Sequence, residues 1–498
     1  MNLLNLNPNV NRNLNRSRGA ALITTIWVII IISGIALIMS RAMRVETLAS
    51  ANRLSQLQAD MTERGAEQFL CSVVDQEVAT PGSTATVGME ARQIGDGYFW
   101  VLKMDPNNQQ NRAFGLTDEA SKIDLNTATL TTSGGGMLQM LPNMPADVAS
   151  SIYNWRGTGT SPDGLGATDQ DYESLPDAYL CKHAPFETTE ELRLVKGVDD
   201  ALLFGSDRNR DGYLDASEQT SAGPAASINS GNTSAVGIFP FVTAYGVQAT
   251  TSTSTSSSSG QRLVNVNLSP VGGGGGRGGG AVSLNSTALR NALQTAGVSN
   301  VTGIITNTVT NESSGRSFSS VLAWAATVNM TSADLSKVYT QLTATPLGGA
   351  ATAKVAKINV NDAPKQVLMC LPGLEESDAD AIIAQRQTTT STTPADISWM
   401  LDAIAHNKLA PIGSYLTGTS TVFSGDILAI SPDGRAFRRY RVVIDGTKSP
   451  AYVIYRRDLT RYGWPLTSDI RDALRAGNPP PDANAAASSS NTPFGQGI

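Results

Sequence analysis

The sequence predicts an α+β protein. A long N-terminal helix packs on a small antiparallel sheet, and a large, mainly α-helical domain built of helix-hairpin repeats is inserted in the sheet region. Three observations carry this prediction: an apolar run near the N-terminus that continues into a helical pattern, strand-like segments both early and late in the chain, and a repeating stretch between them.

From Gly19 to Met39 no side chain is charged, and Arg18 and Arg41 bracket the run. A helix of about 20 such residues, rising ~1.5 Å per residue, crosses a hydrocarbon core about 30 Å thick. Residues 20–39 are therefore predicted to span a membrane. Ahead of them Arg12, Arg16 and Arg18 occur with no acidic residue, which keeps the N-terminus cytoplasmic and exports the rest of the chain. A secretory signal peptide places its small cleavage residues after the apolar run, whereas here Gly19, Ala20 and Ala21 precede it. That order resembles a class III prepilin leader, residues 1–19, cut by prepilin peptidase between Gly19 and Ala20. An uncleaved signal anchor is the alternative.

The 498 residues suffice for two or three domains with cores, and 41% apolar with 16% charged residues is a globular balance. A net charge of −6 disfavours a generic polyanion as partner. Cys71, Cys181 and Cys370 lie far apart without CxxC spacing. Buried single thiols are the preferred reading, and sequence does not fix any disulfide pairing.

Residues 40–121 continue the helix and add the first strands. Val45, Leu48, Leu54, Leu57, Met61, Phe69 and Leu70 recur mostly at three- and four-residue steps, predicting one apolar helical face, which Pro81-Gly82 ends. Short strands are expected near 88–91 and 98–104. Within residues 411–465, strand-like runs at 421–430, 436–445 and 451–457 are separated by Pro432-Asp433-Gly434 and Asp445-Gly446, the mark of an antiparallel meander. A spanning helix that continues into an amphipathic one beside a small sheet is the layout of a pilin. Residues 466–498, rich in Pro, Ala and Ser, are expected to be disordered.

The inserted part repeats. Lys122-Ile-Asp-Leu-Asn-Thr-Ala128 and Lys357-Ile-Asn-Val-Asn-Asp-Ala363 each precede an apolar helix. Leu141-Pro142-Asn143 or Leu371-Pro372-Gly373 then leads to a second helix carrying Ala149, Ile152 and Arg156 or Ala379, Ile382 and Arg386. Residues 122–240 and 346–410 hold these copies. Residues 241–345 hold Ser/Gly linkers and a weaker middle copy from Val264, with helices expected at 289–297, 317–326 and 330–338. Helical hairpins also bind nucleic acid, through backbone amides that cradle a phosphate. Glu375, Glu376 and Asp378 stand where the phosphate would lie, and their charge would repel it, so no nucleic acid is expected as a partner.

Asp207-Arg-Asn209-Arg-Asp211-Gly212-Tyr213-Leu-Asp215-Ala-Ser-Glu218 fits a twelve-residue calcium loop at every ligand position. Oxygens of Asp207, Asn209 and Asp211 converge across the turn that Gly212 permits, the Tyr213 carbonyl adds one, Asp215 binds directly or through water, and Glu218 closes the cage. The alternative is a metal-free acidic turn. Gly205 and Gly223-Pro224 flank the loop, which favours a structural Ca²⁺ clip over a switch.

Taken in order, the leader ending at Gly19, the SKIDLNTA segment, the Leu-Pro turn, CKHAPFETTEELRLVKGV at 181–198 and DRNRDGYLD at 207–215 resemble the general secretion pathway protein K family, the large minor pseudopilins of type II secretion. The resemblance leaves out mainly residues 246–345 and the tail. It implies a pilin fold with a calcium-binding helical insertion, anchored as a single pass in a bacterial inner membrane with its C-terminal domain in the periplasm. It further implies a place at the tip of the pseudopilus, where the protein supports initiation and the export of folded proteins across the outer membrane. Its implied partners are minor pseudopilins of the I and J types, prepilin peptidase and the inner-membrane assembly platform. Asp163, Asp169, Asp171 and Glu173 mark a weak second calcium candidate.

No HExxH, GxSxG or GxxxxGK[ST] motif occurs, and His183 and His406 are the only histidines, so an enzyme is not expected. The rival function is a tip minor pilin or adhesin of a type IV pilus. Counting from Ala20, the fifth residue is Thr24, where major pilins carry a glutamate. A subunit with nothing ahead of it needs no such charge.

Overall fold

The computed structural model describes residues 10–83, 87–105, 112–126, 136–157, 163–215, 218, 237–246, 263–270, 284–344, 356–389 and 393–483, the backbone alone over 10–20. Helix α1 (Val10–Ala79) is continuous. Its N-terminal part is long and apolar enough to cross a membrane, and none of its most apolar window is buried by the rest of the chain.

The sheet comprises β1 (Arg92–Ile94), β2 (Gly97–Lys103), β3 (Ala113–Phe114), β4 (Thr117–Asp118), β5 (Val422–Ile430), β6 (Phe437–Asp445) and β7 (Tyr452–Asp458). The order is β1-β2-β5-β6-β7, with β3 on β2 and β4 on β5, all antiparallel. The C-terminal meander stands within a residue of its expected bounds. The early strand does not: residues 88–91 are irregular, and the first strand begins at Arg92. Gly88 starts no ladder, and Met89 instead accepts a single hydrogen bond from the Val101 amide.

One face of the sheet packs on α1 through Ala66, Leu70, Val73, Val74, Phe99, Val101, Ile427, Val442 and Ile444. Ser55, Ala59, Thr62 and Glu63 extend the helix's buried face. This corrects the expected apolar face, because Val45, Leu48, Leu54, Leu57 and Met61 are all more than half exposed. Small residues face the sheet because the helix lies close to it: a β-carbon added at Gly97 would meet the Thr62 hydroxyl at 2.3 Å.

The tail differs from expectation too. Leu466, Ile470, Leu474 and Ala483 cover the opposite face of the sheet, against Trp100, Leu102, Leu428 and Ile430. The segment 468–475 is a helix whose apolar residues recur at four-residue spacing, Ile470 and Leu474. Composition concealed that period. Residues 484–498 lie outside the described residues.

The insertion folds as three units around one core. Each opens with a two-residue strand that pairs in parallel with a closing one: Ile123–Asp124 with Val242–Thr243, Val264–Asn265 with Leu342–Thr343, and Ile358–Asn359 with Leu416–Thr417. The first unit holds α2 (Ala146–Arg156), α3 (Asp169–Glu173) and α4 (Asp200–Phe204). The middle unit holds α5 (Thr287–Thr295), α6 (Val301–Ser313), α7 (Val321–Thr327) and α8 (Ser332–Ser336). The third holds α9 (Lys365–Met369), α10 (Glu376–Thr388), α11 (Met400–Ala403) and α12 (His406–Ile412).

An asparagine two residues past each opening strand pins the unit. The Asn126 amide donates to Phe186 O at 2.9 Å and Ala244 O at 3.2 Å, Asn267 to Phe318 O at 3.0 Å, and Asn361 to Pro394 O at 2.9 Å and Gly418 O at 3.0 Å. The repeated arginines act likewise: Arg156 donates to Leu125 O at 3.1 Å and Arg386 to Ala363 O at 2.7 Å. The middle copy is thus a full unit with an unforeseen helix, α6. Its Ser/Gly tracts lie mostly outside the described residues.

Candidate functional site: an acidic loop clamped to the sheet

The acidic loop follows α4, whose first turn is capped by Asp199 accepting from Leu202 N at 2.7 Å. Asp207, Asp211 and Glu218 are buried. Their carboxylates turn inward onto the loop's own amides. Asp207 accepts from Asp211 N at 3.2 Å and Gly212 N at 2.9 Å, and Asn209 Oδ1 from Asp211 N at 2.9 Å. Glu218 accepts from the amides of Arg208, Asn209 and Asp215 at 2.9, 3.1 and 3.2 Å, and Asp215 from Glu218 N at 3.1 Å. Gly212 takes φ +78, and a β-carbon there would meet Met104 Cγ at 2.5 Å, so the turn needs glycine.

The charges are poorly compensated. Burial, then the nearby Glu218 charge, pushes Asp207 up to about 6, and burial with the Asp207 charge pushes Asp211 up to about 7. Asp211 Oδ2 is buried without a hydrogen bond, 3.7 Å from Arg112 Nε. A hard dication would relieve that repulsion. Asp207, Asn209, Asp211, Asp215, Glu218 and the Tyr213 carbonyl would hold it, so the donor set fits calcium. The loop carboxylates are not drawn into one tight cluster: among the described residues the single carboxylate, thiol or imidazole trio within 4.8 Å of one another is Asp169, Cys181 and His183.

Local sequence gave no sign of what holds the loop to the sheet. Arg439 of β6, fully buried, donates to Asn209 O at 2.6 Å, Arg210 O at 2.8 Å and Asp426 Oδ2 at 2.8 Å. Arg441 donates to Arg210 O at 3.0 Å and Asp426 Oδ2 at 3.1 Å. Two arginines and an aspartate inside strands otherwise rich in valine and isoleucine were the available signal, since a buried charge in a sheet needs a partner.

Further junctions join the first and third units to the sheet. Buried Glu119 accepts from Lys122 Nζ, Ser424 Oγ and Thr243 Oγ1. The Lys122 charge and these hydrogen bonds outweigh desolvation, the largest single influence, and hold its carboxyl below the usual range. Asp118 accepts from Asn359 Nδ2 at 2.6 Å and Ala120 N at 2.7 Å, and burial pushes it up to about 6. Glu190 receives Tyr455 Oη and pairs with Arg457.

The four acidic residues of the weaker calcium candidate are dispersed. Asp163 accepts from Ser150 Oγ at 2.6 Å, Asp171 caps α3 and pairs with Lys196 at 2.6 Å, Asp169 pairs with His183 at 2.7 Å, and Glu173 is exposed. Each of the first three carboxylates has its own partner among the described residues. Gly19 and Ala20 lie within α1, and their side chains are outside the described residues. The three cysteines are free of disulfides and buried.

None of the curated proteins matches the chain. A chain of the crystal structure of the GspK-GspI-GspJ complex from the enterotoxigenic Escherichia coli type 2 secretion system is similar at a TM-score of 0.40 and 11% identity, covering 83% of this chain and 99% of that one. Two family models, both described as type II secretion system (T2SS), protein K, match residues 136–204 in the first unit and 358–417 across the third. The chain thus carries, in order, two segments similar to protein K of the type II secretion system.

Proposed function

We propose that this chain caps the tip of a periplasmic pseudopilus. There it starts assembly and supports export of folded proteins across the outer membrane, together with minor pseudopilins of the I and J types. Helix α1 anchors it as a single pass in the inner membrane, with its N-terminus cytoplasmic. Prepilin peptidase cuts between Gly19 and Ala20, and the assembly platform receives the product. Calcium in the loop from Asp207 to Glu218 stiffens the insertion.

The observation that carries this reading is the uncovered side of α1. Leu54, Leu57 and Met61, at 58, 55 and 63% exposure, form a stripe opposite the face that rests on the sheet. An apolar helical stripe left open by its own domain is suited to helices of neighbouring subunits. Thr24 fits a one-ended role: its hydroxyl donates to Ala21 O of the same helix at 2.9 Å, so it offers no charge to a subunit ahead. The deciding experiment is co-purification of the full chain in detergent with I- and J-type minor pseudopilins. A stable ternary complex is expected, and failure to form any complex would refute the tip model.

A further inference from the structure

We propose a second metal site, of borderline-soft transition-metal character and distinct from the calcium loop, formed by Asp169, Cys181 and His183 in the first unit.

The three donor atoms lie within 4.8 Å of one another and come from two segments that the fold brings together. Asp169 opens α3, after the Thr168 cap. Cys181 and His183 flank Lys182, whose ammonium is drawn off to Glu191 at 2.9 Å and Glu187 at 3.5 Å. His183 takes φ +48, a left-handed turn uncommon for a non-glycine residue. The thiol forms a buried floor, while Asp169 and His183 form an exposed rim. An ion can therefore enter from solvent, and a water can complete its shell.

The imidazole carries the argument further. Its Nδ1 lies 2.8 Å from Gly157 O and its Nε2 lies 2.7 Å from Asp169 Oδ1, so both ring nitrogens face acceptors. With Nδ1–H donated to the carbonyl, the Nε2 lone pair points at a carboxylate, and a cation must lie between them. That cation is either a proton, giving an imidazolium–carboxylate pair, or a metal ion held by Nε2, the carboxylate and the thiolate. A histidine whose second nitrogen donates to a backbone carbonyl is the usual arrangement at metal centres, because it fixes tautomer and ring orientation. Gly157 is the residue that ends α2, so the carbonyl is held by a helix terminus.

The donor set selects the metal. Thiolate, imidazole and carboxylate at about 2.0–2.3 Å suit Zn²⁺, whereas Ca²⁺ wants six to eight oxygens. On binding, the Cys181 thiol gives its proton to solvent and the sulfur becomes a ligand. The ion would tie α3 and the end of α2 to the 181–186 turn, whose Phe186 amide donates to Asn126 Oδ1 at 2.7 Å.

The test uses the full chain in detergent, stripped with chelator and kept reduced, with Co²⁺ as the probe and Zn²⁺ as the competitor. One equivalent of Co²⁺ is expected to give a thiolate-to-cobalt charge-transfer band that Zn²⁺ removes. Cys181→Ser should abolish the band although Cys71 and Cys370 remain, and His183→Asn should weaken Co²⁺ binding at least 10-fold. The calcium-loop pair Asp207→Asn with Glu218→Gln should leave the band intact. Absence of the band in folded wild-type protein, or equal Zn²⁺ retention by wild type and Cys181→Ser, would overturn the proposal and leave a His183–Asp169 ion pair only.

Discussion

The Arg439 guanidinium, in the middle of β6, donates to the carbonyl oxygen of Arg210 at 2.8 Å, so a sheet residue holds the turn of the acidic loop. The same side chain pairs with Asp426 at 2.8 Å. Stranding a buried charge costs about 3–5 kcal/mol, and because Arg441 still donates to Asp426 at 3.1 Å the loss of Arg439 should cost less than that. Arg439→Met should therefore lower the denaturation midpoint clearly and speed proteolysis near residues 205–218. Arg439→Met combined with Asp426→Asn, which also takes the carboxylate from Arg441, should cost less than the sum of the two single changes. An additive double variant would mean that the two residues do not act as a pair.

Calorimetry of the chelator-stripped protein should detect one Ca²⁺ site. Asp207→Ala with Glu218→Ala should abolish it, because these residues open and close the loop. Calcium should also raise the thermal midpoint of the wild type, since a ligand that binds only the folded state stabilises it by mass action. Unchanged affinity in the double variant would remove the assignment.

Asp118 gives a pH signature away from the loop. Burial raises its folded-state value to about 6, above an unfolded value of about 3.9. The folded state therefore holds the proton more tightly, and stability falls as pH rises between those values. A difference of about two units is worth on the order of 3 kcal/mol. Asp118→Asn should match wild type below pH 4, become relatively more stable as pH rises from 4 to 6, and hold a constant lead above 6, as measured by urea unfolding. A constant gap from pH 4 to 6 would count against it.

Leu57→Glu and Met61→Glu probe the open stripe of α1. Both sites are exposed, so the fold should change by no more than about 0.5 kcal/mol. Capture of I- and J-type partners should drop sharply. Full capture by a folded variant would move the interface elsewhere.

Much of this architecture was legible locally. The apolar run, the late meander and the paired Lys-Ile-Asp/Asn segments each declare themselves over a dozen residues or so, and both family matches fall within repeat copies. What escaped was the choice among competing local signals. Leu54, Leu57 and Met61 outweigh Ala59 and Ala66 in hydrophobicity, yet the smaller residues face the sheet because backbones approach there. Ile470 and Leu474 were hidden by a proline- and alanine-rich tail. In α6 the β-branched Val301, Ile304, Ile305 and Val309 weaken a helical reading. The clamp from Arg439 to Asn209 spans 230 positions, a separation at which no local periodicity operates.

The register of β4 on β5 pairs Asp118 with Phe423. The chain therefore leaves the sheet for residues 119–421 and returns to it on the adjacent strand, about 4.8 Å away. A segment whose ends meet so closely exerts no pull on its host, and the entropy of closing it grows only slowly with length. Each of the three units is itself closed by a pair of neighbouring strands, so the same economy holds one level down. The insertion could be lengthened or shortened by whole units while every strand of the sheet keeps its partner, which leaves its size free to follow whatever binds it.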